Sequence, residues 1–169
     1  MSNFKDDRRK SIYYLTKKGE MEVTGLINTM IPAIKELTGL EQLCLILPEN
    51  LSEFFINYST MLNNGYALFS NIEGIDSYIN KDAGHMILLS LYSNQDRHGI
   101  LKSSLLQLSN DCGVSRVHIR RYLDEAITSG MIKKEGKDGP YIITSDLNDI
   151  IKKYMATYFV CVMHGINLL

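Results

Sequence analysis

A mainly α-helical fold with a small β-wing is predicted by three observations. Apolar residues recur at spacings of three and four along most of the 169 residues. Two short runs, 132–135 and 141–144, read as strands around Gly136-Lys137-Asp138-Gly139, a glycine-rich hairpin loop. Elsewhere glycine and proline do not cluster, and there is no repeat or low-complexity linker.

Taken in order, Thr16 can cap a helix that carries Met21, Val23, Leu26, Ile27, Met30, Ile31, Ile34 and Leu37 on a helical period. Pro32 would kink or split it, and Thr38-Gly39 marks an end or a bend. Residues 41–47 read as a second short helix stopped by Pro48. Asn50 or Ser52 can cap the next helix, with Phe54, Phe55, Tyr58, Met61 and Leu62, before the turn signal Asn63-Asn64-Gly65. Residues 66–79 keep helical spacing, interrupted near Gly74. Asp82 caps a helix with Met86, Ile87, Leu88, Leu89 and Leu91, followed by a polar loop at 94–99. Ile100-Leu101 is expected as a short strand pairing with the wing, and Ser103 as the cap of the helix after it. The last helix starts at Ser145 or Asp146 and carries an almost unbroken apolar stripe from Leu147 to Val162.

Charge narrows the function classes. The net charge is −1, so a nucleic-acid partner has to be met by local clustering. Such clusters exist: Lys5, Arg8, Arg9, Lys10, Lys17 and Lys18 near the start, and Lys102, Arg116, Arg120, Arg121, Lys133, Lys134 and Lys137 later. Between Glu36 and Asn80 there is no Lys or Arg, and that stretch should avoid phosphate. Cys44, Cys112 and Cys161 are odd in number and far apart, which suits buried thiols in a reducing cytosol. The start lacks a signal-peptide apolar core, and no apolar run approaches the roughly 20 residues that span a bilayer. A cytoplasmic protein without a membrane segment is the expectation. No phosphate loop, GxSxG elbow or HExxH is present, and His85, His98, His118 and His164 have no ligand spacing, so neither an enzyme nor a metal or cofactor site is expected.

The most informative stretch is 105–143. A short apolar helix leads to Gly113, which tolerates positive φ, and Val114 plugs the gap before a second helix capped by Ser115. Leu105 and Leu108 are expected to pack against Ile119, Leu123 and Ile127. The opposite face of the second helix then carries Arg116, Val117, Arg120 and Arg121, because residues three and four apart share a face. With the basic hairpin, this is the layout of a winged helix-turn-helix, which puts positive charge on a helix able to enter the DNA major groove. Arginine can bond guanine O6 and N7 or a phosphate, and Ser115 with the helix start can hold a backbone phosphate. Lys133, Lys134 and Lys137 can follow the adjacent backbone. His118 lies beside this face, as a packing or phosphate-adjacent residue, and Cys112 sits in the turn as a small buried thiol.

At Gly113-Val114-Ser115-Arg116, Ile119-Arg120, Leu123 and Ser129-Gly130-Met131-Ile132 the chain resembles bacterial winged-helix regulators of the GntR and MarR kinds. The resemblance covers about 60 residues, 85–144, and implies DNA contact through Ser115, Arg116, Val117 and Arg120. A weaker likeness covers about 35 residues from Asp6, where Asp6-Asp7-Arg8-Arg9 leads into a strand, the helix start Leu15-Thr16-Lys17-Lys18-Gly19 and then a long helix with Pro32 near its middle, as in the wing of a MarR-type regulator and the helix after it. The helix-turn-helix that should precede such a wing is missing. A relic of a first winged domain, a basic arm beside DNA, and a strand and helix with solvated charge all remain open.

The expected organisation is therefore 1–80 as a basic arm and helical region for dimerisation or effector binding, 81–145 as the DNA-binding domain, and 146–169 as a packing or dimerisation helix. One recognition helix reads too few base pairs for genomic specificity, which favours a homodimer on two half-sites. Phe54, Phe55, Tyr58, Met61, Tyr66, Phe69, Tyr154, Tyr158 and Phe159 either line a pocket for a small-molecule effector or pack the core. The expected function is a sequence-specific DNA-binding transcriptional regulator. The alternatives are a winged-helix module that docks a protein, and a replication-initiator-type DNA-binding protein.

Overall fold

The computed structural model describes residues 14–63, 69, 72–136 and 138–166. The chain divides into two compact units, one made of residues 1–61 with 161–169 and the other of residues 62–160.

The first unit contains α1 (Lys17–Asn28), α2 (Ile31–Thr38), a 3-10 turn (Pro48–Asn50) and most of α3 (Leu51–Asn63). Thr16 caps α1 as expected, its hydroxyl oxygen accepting from the Gly19 N–H at 3.1 Å. Pro32 splits the long apolar stripe in two: it sits in the first turn of α2, where a missing N–H does no harm. Ile27, Ile31 and Ile34 are buried, while Met21, Leu26 and Leu37 from the same stripe are exposed.

The helix expected at 41–47 is absent. Asn28 replaces it by bracketing the backbone of one residue: its Nδ2 donates to the Ile46 carbonyl at 2.9 Å, and its Oδ1 accepts from the Ile46 N–H at 2.8 Å. Those two backbone groups are thereby used outside any helical ladder. Leu43 and Ile46 point inward while Leu45 and Leu47 stay exposed. Cys44 is exposed as well, so only two of the three thiols are buried.

The second unit holds α4 (Asp76–Ile79), α5 (Gly84–Ser93), α6 (Leu105–Cys112), α7 (Arg116–Thr128), β1 (Ile132–Lys134), β2 (Tyr141–Ile143) and the first sixteen residues of α8 (Ser145–Gly165). Within the described part of 66–79, residues 73–75 form turns and Asp76–Ile79 is helical; residues 64–68, 70 and 71 lie outside the described residues. Two expected caps move. Asp82 does not cap α5, which starts after Ala83 at φ +54° with no side-chain cap. Ser104 rather than Ser103 caps α6, accepting from the Gln107 N–H at 3.1 Å. Either serine fits the local pattern; the one whose backbone is extended immediately before the first turn takes the role.

β1 and β2 pair antiparallel, with Ile132 opposite Ile143 and Lys134 opposite Tyr141. The other edge of β2 receives residues 99–101: Ile100 bridges Ile142, the Leu101 N–H donates to the Tyr141 carbonyl and the Ile143 N–H to the Gly99 carbonyl. The expected strand at Ile100-Leu101 is therefore a short bridge against the hairpin. Thr144 closes the turn, donating through Oγ1 to the Met131 carbonyl at 2.8 Å and accepting from the Leu147 N–H that begins α8.

One core holds this unit together. Ile87, Leu88 and Leu91 of α5, Leu108 of α6, Ile119, Tyr122 and Leu123 of α7, and Leu147, Ile151 and Tyr154 of α8 are all buried in it. Leu105, Val114 and Ile127 pack against it from partly buried positions, in the roles their spacing predicts. Each fully buried aliphatic side chain of this kind contributes about 1.5–3 kcal/mol of transfer free energy, so the core fixes which way α7 faces.

A candidate nucleic-acid interface

The outward face of α7 follows from its inward one. Ile119, Tyr122, Leu123 and Ala126 are buried, which turns Arg116, Val117, Arg120 and Arg121 to solvent. Gly113 makes the turn before it, at φ +66°. The Val114 N–H reaches back to the Ser109 carbonyl at 3.0 Å, closing the end of α6. Ser115 caps α7 as expected, with its oxygen 3.2 Å from the His118 N–H. That bond uses an acceptor position; the Ser115 O–H stays available to donate.

The charges on this face are unequally engaged. Arg116 and Arg120 are exposed and have no ion-pair partner among the described residues. Arg121 is held sideways, with Nε 4.0 Å from the Glu125 carboxylate and Nη2 3.3 Å from His118 Nδ1. Glu125 also pairs tightly with Lys81, and the ammonium of Lys81 beside it lowers its carboxyl below the usual carboxylate range. On the hairpin, Lys133 is exposed, while Lys134 is half-buried with its ammonium 4.8 Å above the Tyr141 ring. Lys137 lies outside the described residues, as do Lys5, Arg8, Arg9 and Lys10 and with them the basic arm and the first part of the weaker likeness. The structure thus brings Ser115, Arg116, Val117, Arg120 and Arg121 onto one turn-and-a-half of helix. Of the two described wing lysines, Lys133 is exposed and Lys134 is stacked on a ring.

Two features escaped the sequence. His118 is fixed by the Asp82 carbonyl, 2.9 Å from its Nε2. Lys81 lies over the rings of Tyr78 and Tyr122, at 5.6 and 5.0 Å from their centroids, while it pairs with Glu125. His118 with Asp82, and Lys81 with Tyr122 and Glu125, are more than 35 positions apart, and one partner is a backbone oxygen, so no periodic or compositional signal marks them.

Other expected sites resolve as follows. Phe54, Phe55 and Tyr58 lie in the first unit, in ring contact with one another, and Phe69, Tyr154 and Tyr158 form a second ring cluster in the other unit. Tyr66 is outside the described residues. Cys112 is buried, and burial pushes its thiol above the ordinary range against a hydrogen bond with Ser90. Among the described residues no group of three or more His, Cys, Asp or Glu is placed to hold a metal ion. No helix among them is long and apolar enough to cross a membrane. Comparison with protein-family models, curated proteins and solved structures found no match to this chain.

Proposed function

We propose that residues 81–145 form a winged helix-turn-helix that binds duplex DNA, with α7 in the major groove and the hairpin on the flanking backbone. The chain then acts as a sequence-specific transcriptional regulator of the kind its GntR- and MarR-like register suggests. One observation carries the reading: a helix anchored by four buried residues presents Arg116 and Arg120 to solvent with no carboxylate partner among the described residues. Guanidinium groups held this way can fork onto guanine or phosphate. The connectivity supports it too: bridge segment, α6, α7, β1, β2, with β2 between the bridge segment and β1. A homodimer on paired half-sites completes the proposal, since a single reading helix specifies few base pairs.

A protein-docking module would instead present an apolar patch on this face. The outer face of α7 offers a single large apolar residue, Val117, among three arginines, which favours an anionic partner. Selection of bound duplexes from random-sequence DNA tests the function. A defined motif is expected, and Arg116→Ala should relax it at one position by about 1–3 kcal/mol. Recovery of no motif by the native chain would count against sequence-specific binding, and a motif of tandem repeats would point to an initiator.

A further inference from the structure

We propose that Val117 reads the 5-methyl group of a pyrimidine in the major groove. The inference rests on the DNA-binding reading above and adds the chemistry of one contact. Val117 is 78% exposed, more than any other large apolar residue described except Tyr14. Nothing in the fold calls for valine there. The second residue of α7 contributes nothing to the core, and a β-branched side chain is a poor helix former. Isolated exposed apolar residues are ordinary on protein surfaces. This one differs in its neighbours, because Arg116, Arg120 and Arg121 surround it on the same face. A residue in the first turn of a reading helix is also among those closest to the base edges.

The chemistry of the groove then selects the ligand. Base edges in the major groove offer hydrogen-bond donors, acceptors and one apolar group, the methyl on pyrimidine C5. Valine neither donates nor accepts, so the methyl is the feature it can distinguish. Thymine and 5-methylcytosine both carry that group.

The test starts from a duplex selected by the native chain. Each thymine is replaced singly by deoxyuridine, and each cytosine singly by 5-methylcytosine, and competition binding is measured for the native chain and for Val117→Ala. At one position per half-site the native chain should lose about fourfold on removal of a thymine methyl, or gain about fourfold on addition of a cytosine methyl, as burying one methyl group implies. Val117→Ala, which keeps one methyl of its own but reaches less far, should show a clearly smaller difference within each such pair, and its exposed position makes misfolding no obstacle. The thymine arm and the cytosine arm tell the two sources apart. Tight, salt-dependent binding that ignores every methyl change, or a methyl effect undiminished in Val117→Ala, overturns this inference and leaves the DNA reading standing. Absence of duplex binding overturns both.

Discussion

The Nε2–H of His118 donates to the backbone carbonyl of Asp82 at 2.9 Å. A carbonyl can only accept, so Nε2 carries the proton; a guanidinium can only donate, so Nδ1 offers its lone pair to Arg121. The imidazole thus ties the outer edge of α7 to the loop before α5, where Ala83 holds a left-handed backbone at φ +54°. Losing this side chain should cost about 1 kcal/mol, the usual net worth of one hydrogen bond. We expect His118→Ala to lower the unfolding free energy by that amount, read as a lower urea midpoint, and to leave the helical signal intact. An unchanged midpoint would mean that the tether carries no stability.

Tyr122 makes the opposite prediction. Its ring is 1% exposed, and its hydroxyl has no hydrogen-bond partner among the described residues. Burial pushes that hydroxyl well above the ordinary phenol range, which keeps it neutral but leaves its desolvation uncompensated. Tyr122→Phe removes the unpaired group and keeps the ring contact with Tyr78 at 5.7 Å. Stability should be unchanged or rise by about 1 kcal/mol. A loss of more than about 1 kcal/mol in thermal or urea unfolding would show that the hydroxyl is paired in solution.

Gly99 and Gly113 share a positive φ, +80° and +66°, but not the same surroundings. A Cβ on Gly113 meets nothing, so alanine there costs only the left-handed backbone, about 1–2 kcal/mol. A Cβ on Gly99 would run into the Ile143 carbonyl, the group of β2 next to the bridge segment. Gly99→Ala should therefore be clearly the more damaging of the two and should disturb the hairpin. Equal destabilisation in parallel denaturation curves would contradict this.

Acid sensitivity should concentrate at Asp96. Its carboxylate accepts from Lys102 Nζ at 2.8 Å and from the N–H groups of His98 and Ile100 at 2.9 and 3.0 Å, and these hold its pKa at about 2. A depressed folded value means that the contribution is complete above the ordinary value of 3.8 and is lost as pH falls through about 2. Asp96→Asn should flatten the stability profile between those limits and leave the neutral-pH plateau lower. Superimposable acid limbs for the two chains would rule the cluster out as a source of acid lability.

Much of the second unit is legible in its residues. Gly113 between two helical periods, Ser115 before the arginines and the glycine loop between two short strand-like runs each act locally, so spacing alone locates them. The misplaced elements depend on distant partners. Residues 41–47 have a helical pattern, yet one amide side chain from α1 captures the Ile46 backbone. Asp82 has the chemistry of a cap, yet its carbonyl is committed to a histidine 36 residues away. The arginine face could be read from periodicity because exposure of one helix side follows from burial of the other. How each charge is spent could not: Arg121 shared with His118 and Glu125, Lys134 over Tyr141, Arg116 and Arg120 with no acidic partner among the described residues.

The most direct test is the salt dependence of duplex binding by fluorescence anisotropy, for the native chain and for the Arg116→Ala/Arg120→Ala double variant. Each phosphate neutralised contributes about 0.9 to the slope of log affinity against log salt. The native affinity should fall steeply between roughly 50 and 200 mM salt. The double variant should bind more weakly, with a slope shallower by up to about two. Native binding that is flat with salt, or a variant with the affinity and slope of the native chain, would contradict a DNA-gripping role for this helix.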